Sequence, residues 1–187
     1  SESQVRKRPD EPRPARPNGT GAIQQGAESR TTMMRLSVRG IPSQRADLLK
    51  QGGIDANGQP AVARIAEGLA NPCRHCLRLI AEGEEKLVLA YRPFDSVHPY
   101  SEVGPIFLHK ASCERYDGQA LPVWFAHLEP ALIRGYGHDD WIRYDTADVV
   151  GGSELGAVCR KILADDSIAY VHIRSKYNCF QCRGDRG

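Results

Sequence analysis

The stretch IRYDTADVVGGSELGAVCRKILADDSIAYVHIR, residues 142–174, decides the fold class. Its first nine residues, Ile142 to Val150, have the β-branched and aromatic content of a strand. Gly151 and Gly152 interrupt that pattern. Leu155, Val158, Cys159 and Ile162 then recur at helical spacing, with Ser153 placed to cap the start. Strand alternation resumes over Ile168 to Arg174, where Tyr170, His172 and Arg174 fall on one face and Val171 and Ile173 on the other. A strand, an amphipathic helix and a second strand in succession place the helix across one face of a sheet.

Working outward, similar runs predict strands over Lys86 to Tyr91, Pro105 to His109 and Ala131 to Tyr136. Leu36, Val38 and Ile41 suggest a short opening strand, and Pro42 with Ser43 starts a helix through Leu49 that Gly52 and Gly53 end. Asp55-Ala56-Asn57-Gly58 is a turn signal, because Asn-Gly tolerates the positive φ that tight turns need. Few helices and many short strands predict an α+β fold. The expected form is a single domain over residues 33–187 with one mainly antiparallel sheet and one principal helix packed on it. No repeat of 20–50 residues points to a solenoid or propeller.

Residues 1–32 read differently. Pro9, Pro12, Pro14 and Pro17 are too closely spaced for helix or strand, and the segment is expected to be a disordered, basic, Pro-rich tail. Met33 and Met34 stand directly before the first apolar alternation, which raises the expectation that the natural start lies there. The tail holds six Lys or Arg against four Asp or Glu, leaving nineteen of each sign afterwards, so the net charge of +2 belongs to the tail and the domain is neutral. A neutral domain argues against a nucleic-acid partner. No run approaches the roughly 20 apolar residues of a membrane helix, and no apolar signal core opens the chain, so no membrane partner and a cytoplasmic location are expected.

Two motifs rise above background: Cys73-Arg74-His75-Cys76 and Cys179-Phe180-Gln181-Cys182. A Cys-x-x-Cys turn presents two thiolates on one side of a knuckle, and two facing knuckles give the tetrahedral sulfur shell that zinc prefers. About a hundred residues separate the pairs, against about 15–20 in compact zinc modules, so only the fold can unite them. His109 and Cys113 have ligand-like spacing, which makes Cys73, Cys76, His109 and Cys113 a second candidate set. Thiol redox chemistry is a further alternative, since Arg74 and His75 lie between the sulfurs and cations favour thiolate. Thioredoxin-type motifs open a long helix, however, whereas Pro72 precedes this one and Gly83 soon follows.

Arg134 and Tyr136 share one side of their strand. With Arg74, Tyr91 and His172 they form a candidate anion-binding or catalytic cleft, set against the simpler reading that such strand residues face solvent. Glu102 has no second carboxylate or nucleophile beside it in sequence. The backbone N–H groups at Gly151-Gly152-Ser153 offer an anion site that helix entry alone explains. Phosphate-cradling loops, Gly-x-Ser-x-Gly elbows and His-Glu-x-x-His motifs are absent.

Several ordered motifs resemble a known family. Asn-Pro-Cys-Arg-His-Cys-Leu at 71–77, Pro-Tyr-Ser-Glu-Val-Gly-Pro-Ile-Phe at 99–107, Val-Val-Gly-Gly at 149–152 and Tyr-Val-His-Ile-Arg through Asn-Cys-Phe-Gln-Cys-Arg at 170–183 are similar to the bacterial domain of unknown function 1203. The resemblance spans nearly everything after Met34. It implies one compact bacterial domain and carries with it no reaction, cofactor or catalytic residue. The leading expectation is therefore a cytosolic accessory domain with structural zinc at paired cysteines. A small-molecule enzyme or anion-binding protein and a thiol redox protein stand as the alternatives.

Overall fold

The computed structural model describes residues 34–187; the tail predicted over residues 1–32 lies outside them. The chain runs through β1 (Leu36–Arg39), α1 (Ser43–Lys50), β2 (Val62–Ile65), β3 (Glu85–Tyr91), β4 (Gly104–His109) and β5 (Asp117–Gly118). A 3-10 turn at Val123–His127 leads to β6 (Ala131–Gly137) and β7 (Ile142–Val150). Then come a 3-10 turn at Gly152–Glu154, α2 (Leu155–Leu163), β8 (Ile168–Ser175) and β9 (Phe180–Arg186).

These strands form two antiparallel sheets, where the sequence predicts one. The larger has the order β5-β1-β9-β8-β6-β7 and the smaller the order β2-β3-β4. The division has a local cause. Cys73 pairs in parallel with Phe107 of β4, and the Arg74 N–H donates to the Phe107 carbonyl at 3.0 Å, so the cysteine turn occupies an edge through which β4 would otherwise extend the sheet.

The strand–helix–strand unit behaves as its pattern requires. Leu155, Cys159 and Leu163 of α2 pack with Val171 and Ile173 of β8 and Leu36 and Val38 of β1, all buried. Each large apolar side chain so buried contributes roughly 1.5–3 kcal/mol against leaving it in water. Ser153 is not the cap: the helix is entered through the 3-10 turn, and the Gly151 N–H donates to the Glu154 carboxylate at 3.1 Å. That bond takes one of the backbone donors on which an anion site at Gly151-Gly152-Ser153 would depend.

The second face of β8 departs from the solvent-facing reading. Tyr170, His172 and Arg174 are all buried: the connection from β3 to β4 sets Phe94 against Tyr136 and His172, and the Arg183 guanidinium lies over the Tyr170 ring. Glu102, from the same connection, lies 2.7 Å from both Arg134 and Arg174 and ties it to the large sheet. A separate core joins the small sheet to α1: Leu87, Leu89, Ile106 and Leu108 pack with Ala46, Leu49, Ile80, Cys73 and Cys76. Among the described residues, no helix is long and apolar enough to cross a membrane.

Candidate metal centre and the aromatic cleft

The first cysteine motif folds as a knuckle. Pro72 pairs with Leu79, the Cys73 N–H donates to the Arg78 carbonyl at 2.9 Å, and Leu77 takes φ +52° to turn the chain back. A left-handed backbone at a leucine is uncommon and persists where the surroundings over-determine it. Here the Leu77 side chain is buried in the α2 core and the Trp124 indole N–H donates to its carbonyl at 2.7 Å.

Neighbouring segments are stitched to the knuckle through its backbone. Ile41 N–H donates to the Arg74 carbonyl and Tyr116 N–H to the His75 carbonyl, each at 2.9 Å. Gly40 passes so close that a Cβ there would collide with the His75 carbonyl oxygen. The segment from His109 to Tyr116 is thereby drawn alongside the knuckle, and it brings two more ligand-type side chains.

Cys73, Cys76, His109 and Cys113 converge, each offering one ligand atom within 4.8 Å of all the others. The Cys76 Sγ to His109 Nδ1 separation is 3.4 Å. A tetrahedral zinc bound at ordinary lengths sets ligand atoms about 3.5–3.8 Å apart, so the cluster has the required scale. Cys73 and Cys76 are buried, and Cys113 and His109 are partly so.

Polar groups around the cluster suit thiolates and a directed imidazole. The His109 backbone N–H donates to Cys73 Sγ at 3.4 Å, and Lys50 Nζ lies 3.5 Å from Cys113 Sγ. His75 Nδ1 lies 3.2 Å from Cys113 Sγ while its Nε2 meets the Ser43 hydroxyl at 3.0 Å; with Nδ1 protonated, the imidazole donates to the sulfur and accepts from Ser43. Glu84 stands 3.8 Å from His109 Nε2, which favours the proton there and leaves Nδ1 facing the sulfurs.

Cys73 and Cys76 titrate as a unit. The interaction of the two sulfurs, and then burial, raise the Cys73 pKa, while that same interaction lowers that of Cys76 against the opposing effect of burial. Burial lowers His75, and Lys50 adds to the effect, so it stays neutral. Arg74, fully buried and pushed down to about 10 by desolvation, is cationic at neutral pH and donates to the Phe180 carbonyl at 2.6 Å.

The second cysteine motif does not join the cluster, which corrects the facing-knuckle expectation. Cys182 lies on β9 and is buried in the α2 core, whereas Cys179 sits half-buried ahead of that strand. Gln181 is a bulge residue: Ile173 pairs with Cys182 and Arg174 with Phe180. The bulge puts Phe180 and Cys182 on opposite faces and prevents a turn. Among the described residues, no metal-ligating group includes Cys179 or Cys182.

A family model described as "Protein of unknown function (DUF1203)" matches residues 70–186, well over half of the chain, from the knuckle to the end of β9. The chain belongs to this family. No curated protein and no solved structure matches it.

In this DUF1203 domain the candidate cleft residues partly converge. Tyr91 and His172 line a cleft of about 370 Å³. Tyr136 is not among the lining residues; its ring stacks on Tyr170 and is tilted against His172 at 4.6 Å. Arg134 instead donates to Glu102 and Asn178, and Arg74 holds backbone carbonyls below the cleft. Tyr170, which alternation had placed on the same face as His172, also lines it, as do Phe94, Phe180 and Arg115, which the sequence expectation did not include. Phe180 was concealed inside the Cys-x-x-Cys motif, and the bulge that frees it has no sequence signature of its own.

Proposed function

We propose that Cys73, Cys76, His109 and Cys113 hold one zinc ion in a closed, structural centre, and that the domain is a zinc-braced module. The convergence of four soft and borderline ligand atoms within 4.8 Å carries this reading. Three sulfurs and an imidazole in a closed set match structural zinc, whereas catalytic zinc keeps an open position. Three thiolates and a dication leave one net negative charge, which Lys50, 3.5 Å from Cys113 Sγ, offsets.

The role follows from what the centre joins. Its ligands come from the knuckle, the last residue of β4 and the segment beyond it, so the ion ties these to each other and, through Gly40 and Ile41, to the exit of β1. A reducing cytosol would keep the thiols available for metal. Thiol redox is the weaker reading, because Cys73 and Cys76 are buried at a turn instead of exposed at a helix start.

Metal analysis of the full chain purified without chelators tests the proposal. About one zinc per chain is expected, falling below about 0.2 in His109→Ala and Cys113→Ser. A wild-type content below about 0.2 would overturn it.

A further inference from the structure

His172 is completely buried, lines the cleft, and has no hydrogen-bond partner at either ring nitrogen among the described residues. The buried hydroxyl of the adjacent Tyr136 is also without one. Buried polar atoms in native proteins are nearly all satisfied, by protein, water or ligand. Two orphaned nitrogens on a side chain that lines a cavity, with a third orphan on the ring packed against it, therefore mark a place where something else supplies the partner.

The setting of His172 defines what fits. Rings of Phe94, Tyr170 and Phe180 stand 5.0–5.1 Å from the imidazole, and Tyr91 lies 5.9 Å from Phe180. Such walls favour a flat, π-rich guest. Burial, with Arg174, Arg183 and Arg134 nearby, lowers the His172 pKa well below its usual value, so the neutral ring offers one donor and one acceptor. At 370 Å³ the space lies at the small end of ligand pockets.

The rim adds charge selectivity. Arg39 pairs with Asp117 and Arg183 with Asp185, while Arg186 holds carbonyls at the end of α2. Asp140 accepts from the Tyr170 hydroxyl at 2.6 Å, and Asp95 is exposed at the mouth. Arg115 differs. Its Nε donates to the Gly40 carbonyl at 2.8 Å, and among the described residues no carboxylate pairs with it. Its terminal nitrogens remain for a guest carboxylate.

We infer that this cleft binds a small, planar aromatic or heteroaromatic carboxylic acid, its ring against Tyr91, Phe94 and Phe180, its in-plane polar atom on His172 and its carboxylate on Arg115. None of the guest's partners is a metal ligand, although Arg115 follows Cys113 by two residues; metal content is therefore measured on every sample used for binding, so that loss of the ion and loss of the cleft are read apart.

The test titrates the full chain with 4-hydroxybenzoate, indole-3-acetate and quinoline-2-carboxylate, each beside its neutral amide, by calorimetry and ligand-observed NMR. At least one acid is expected to bind one-to-one with a Kd at or below about 1 mM, about tenfold tighter than its amide. His172→Phe, which keeps the aromatic packing, and Phe94→Ala, on the covering connection, each weaken that acid by about tenfold or more. Arg115→Gln erases the preference for acid over amide. Three results overturn the inference: no binding of any acid up to about 10 mM, equal binding of acid and amide, or an affinity that His172→Phe and Phe94→Ala leave unchanged. Should His172→Phe fail to fold, Phe94→Ala and Arg115→Gln decide the matter.

Discussion

Cys73-x-x-Cys76 and Cys179-x-x-Cys182 share a spacing and little else. In the first pair, Pro72 and the left-handed Leu77 bend the backbone into a knuckle, and the sulfurs emerge together beside His109 and Cys113. In the second, Cys182 is held in a strand, and the bulge at Gln181 aims it into the apolar core beneath α2. Two intervening residues thus specify a candidate metal half-site only when the backbone between the cysteines turns. Surroundings differ accordingly: the His109 backbone N–H donates to Cys73 Sγ and His109 Nδ1 lies 3.4 Å from Cys76 Sγ, whereas Cys182 packs among apolar side chains of the α2 core.

Breaking the first pair should have the largest effect. Cys76→Ser is expected to lose the metal and about 4 kcal/mol or more of stability, read from metal content and denaturant unfolding together. Cys182→Ser, by contrast, should cost about 1–3 kcal/mol by placing a hydroxyl among apolar neighbours, with metal content unchanged. A loss of metal in that variant would show that the two motifs are coupled after all. Cys179→Ser should move stability by no more than about 0.5 kcal/mol, the range of a substitution away from core and ligands.

A smaller effect sharpens the contrast from outside both motifs. Asp55 accepts backbone N–H donors from Asn57, Gln59 and Ala90, and these lower its pKa against the raising effect of desolvation. Because the folded value is depressed, its contribution is present above the unfolded value of 3.8 and is lost as pH falls through the folded one. Asp55→Asn should therefore flatten the acid limb of stability below pH about 4 while leaving metal content at neutral pH unchanged.

The strand–helix–strand core was legible because period and composition change abruptly at Gly151 and Asp165, and local periodicity survives folding. The second sheet was not, since the choice of partner for β4 depends on a bridge from Cys73, more than thirty residues earlier. The set of Cys73, Cys76, His109 and Cys113 could be written down from ligand spacing, but only the tertiary fold separates it from the four-sulfur set. The cleft was half-visible: alternation put Tyr170, His172 and Arg174 on one face, yet nothing local revealed that Phe94 and Glu102 would cover it. Long-range closure by an irregular connection leaves no periodic trace.

Gly40 carries an evolutionary consequence. With the carbonyl of His75 where a methyl group would have to be, no other amino acid can stand there unless the knuckle retreats, and retreat would disturb the sulfur donors. Mutational scanning should find this position intolerant even to alanine, and relatives that abandon the cysteine turn should be the ones free to vary it. A glycine that supplies no ligand of its own would then serve, in an alignment, as a marker for which lineages kept the knuckle.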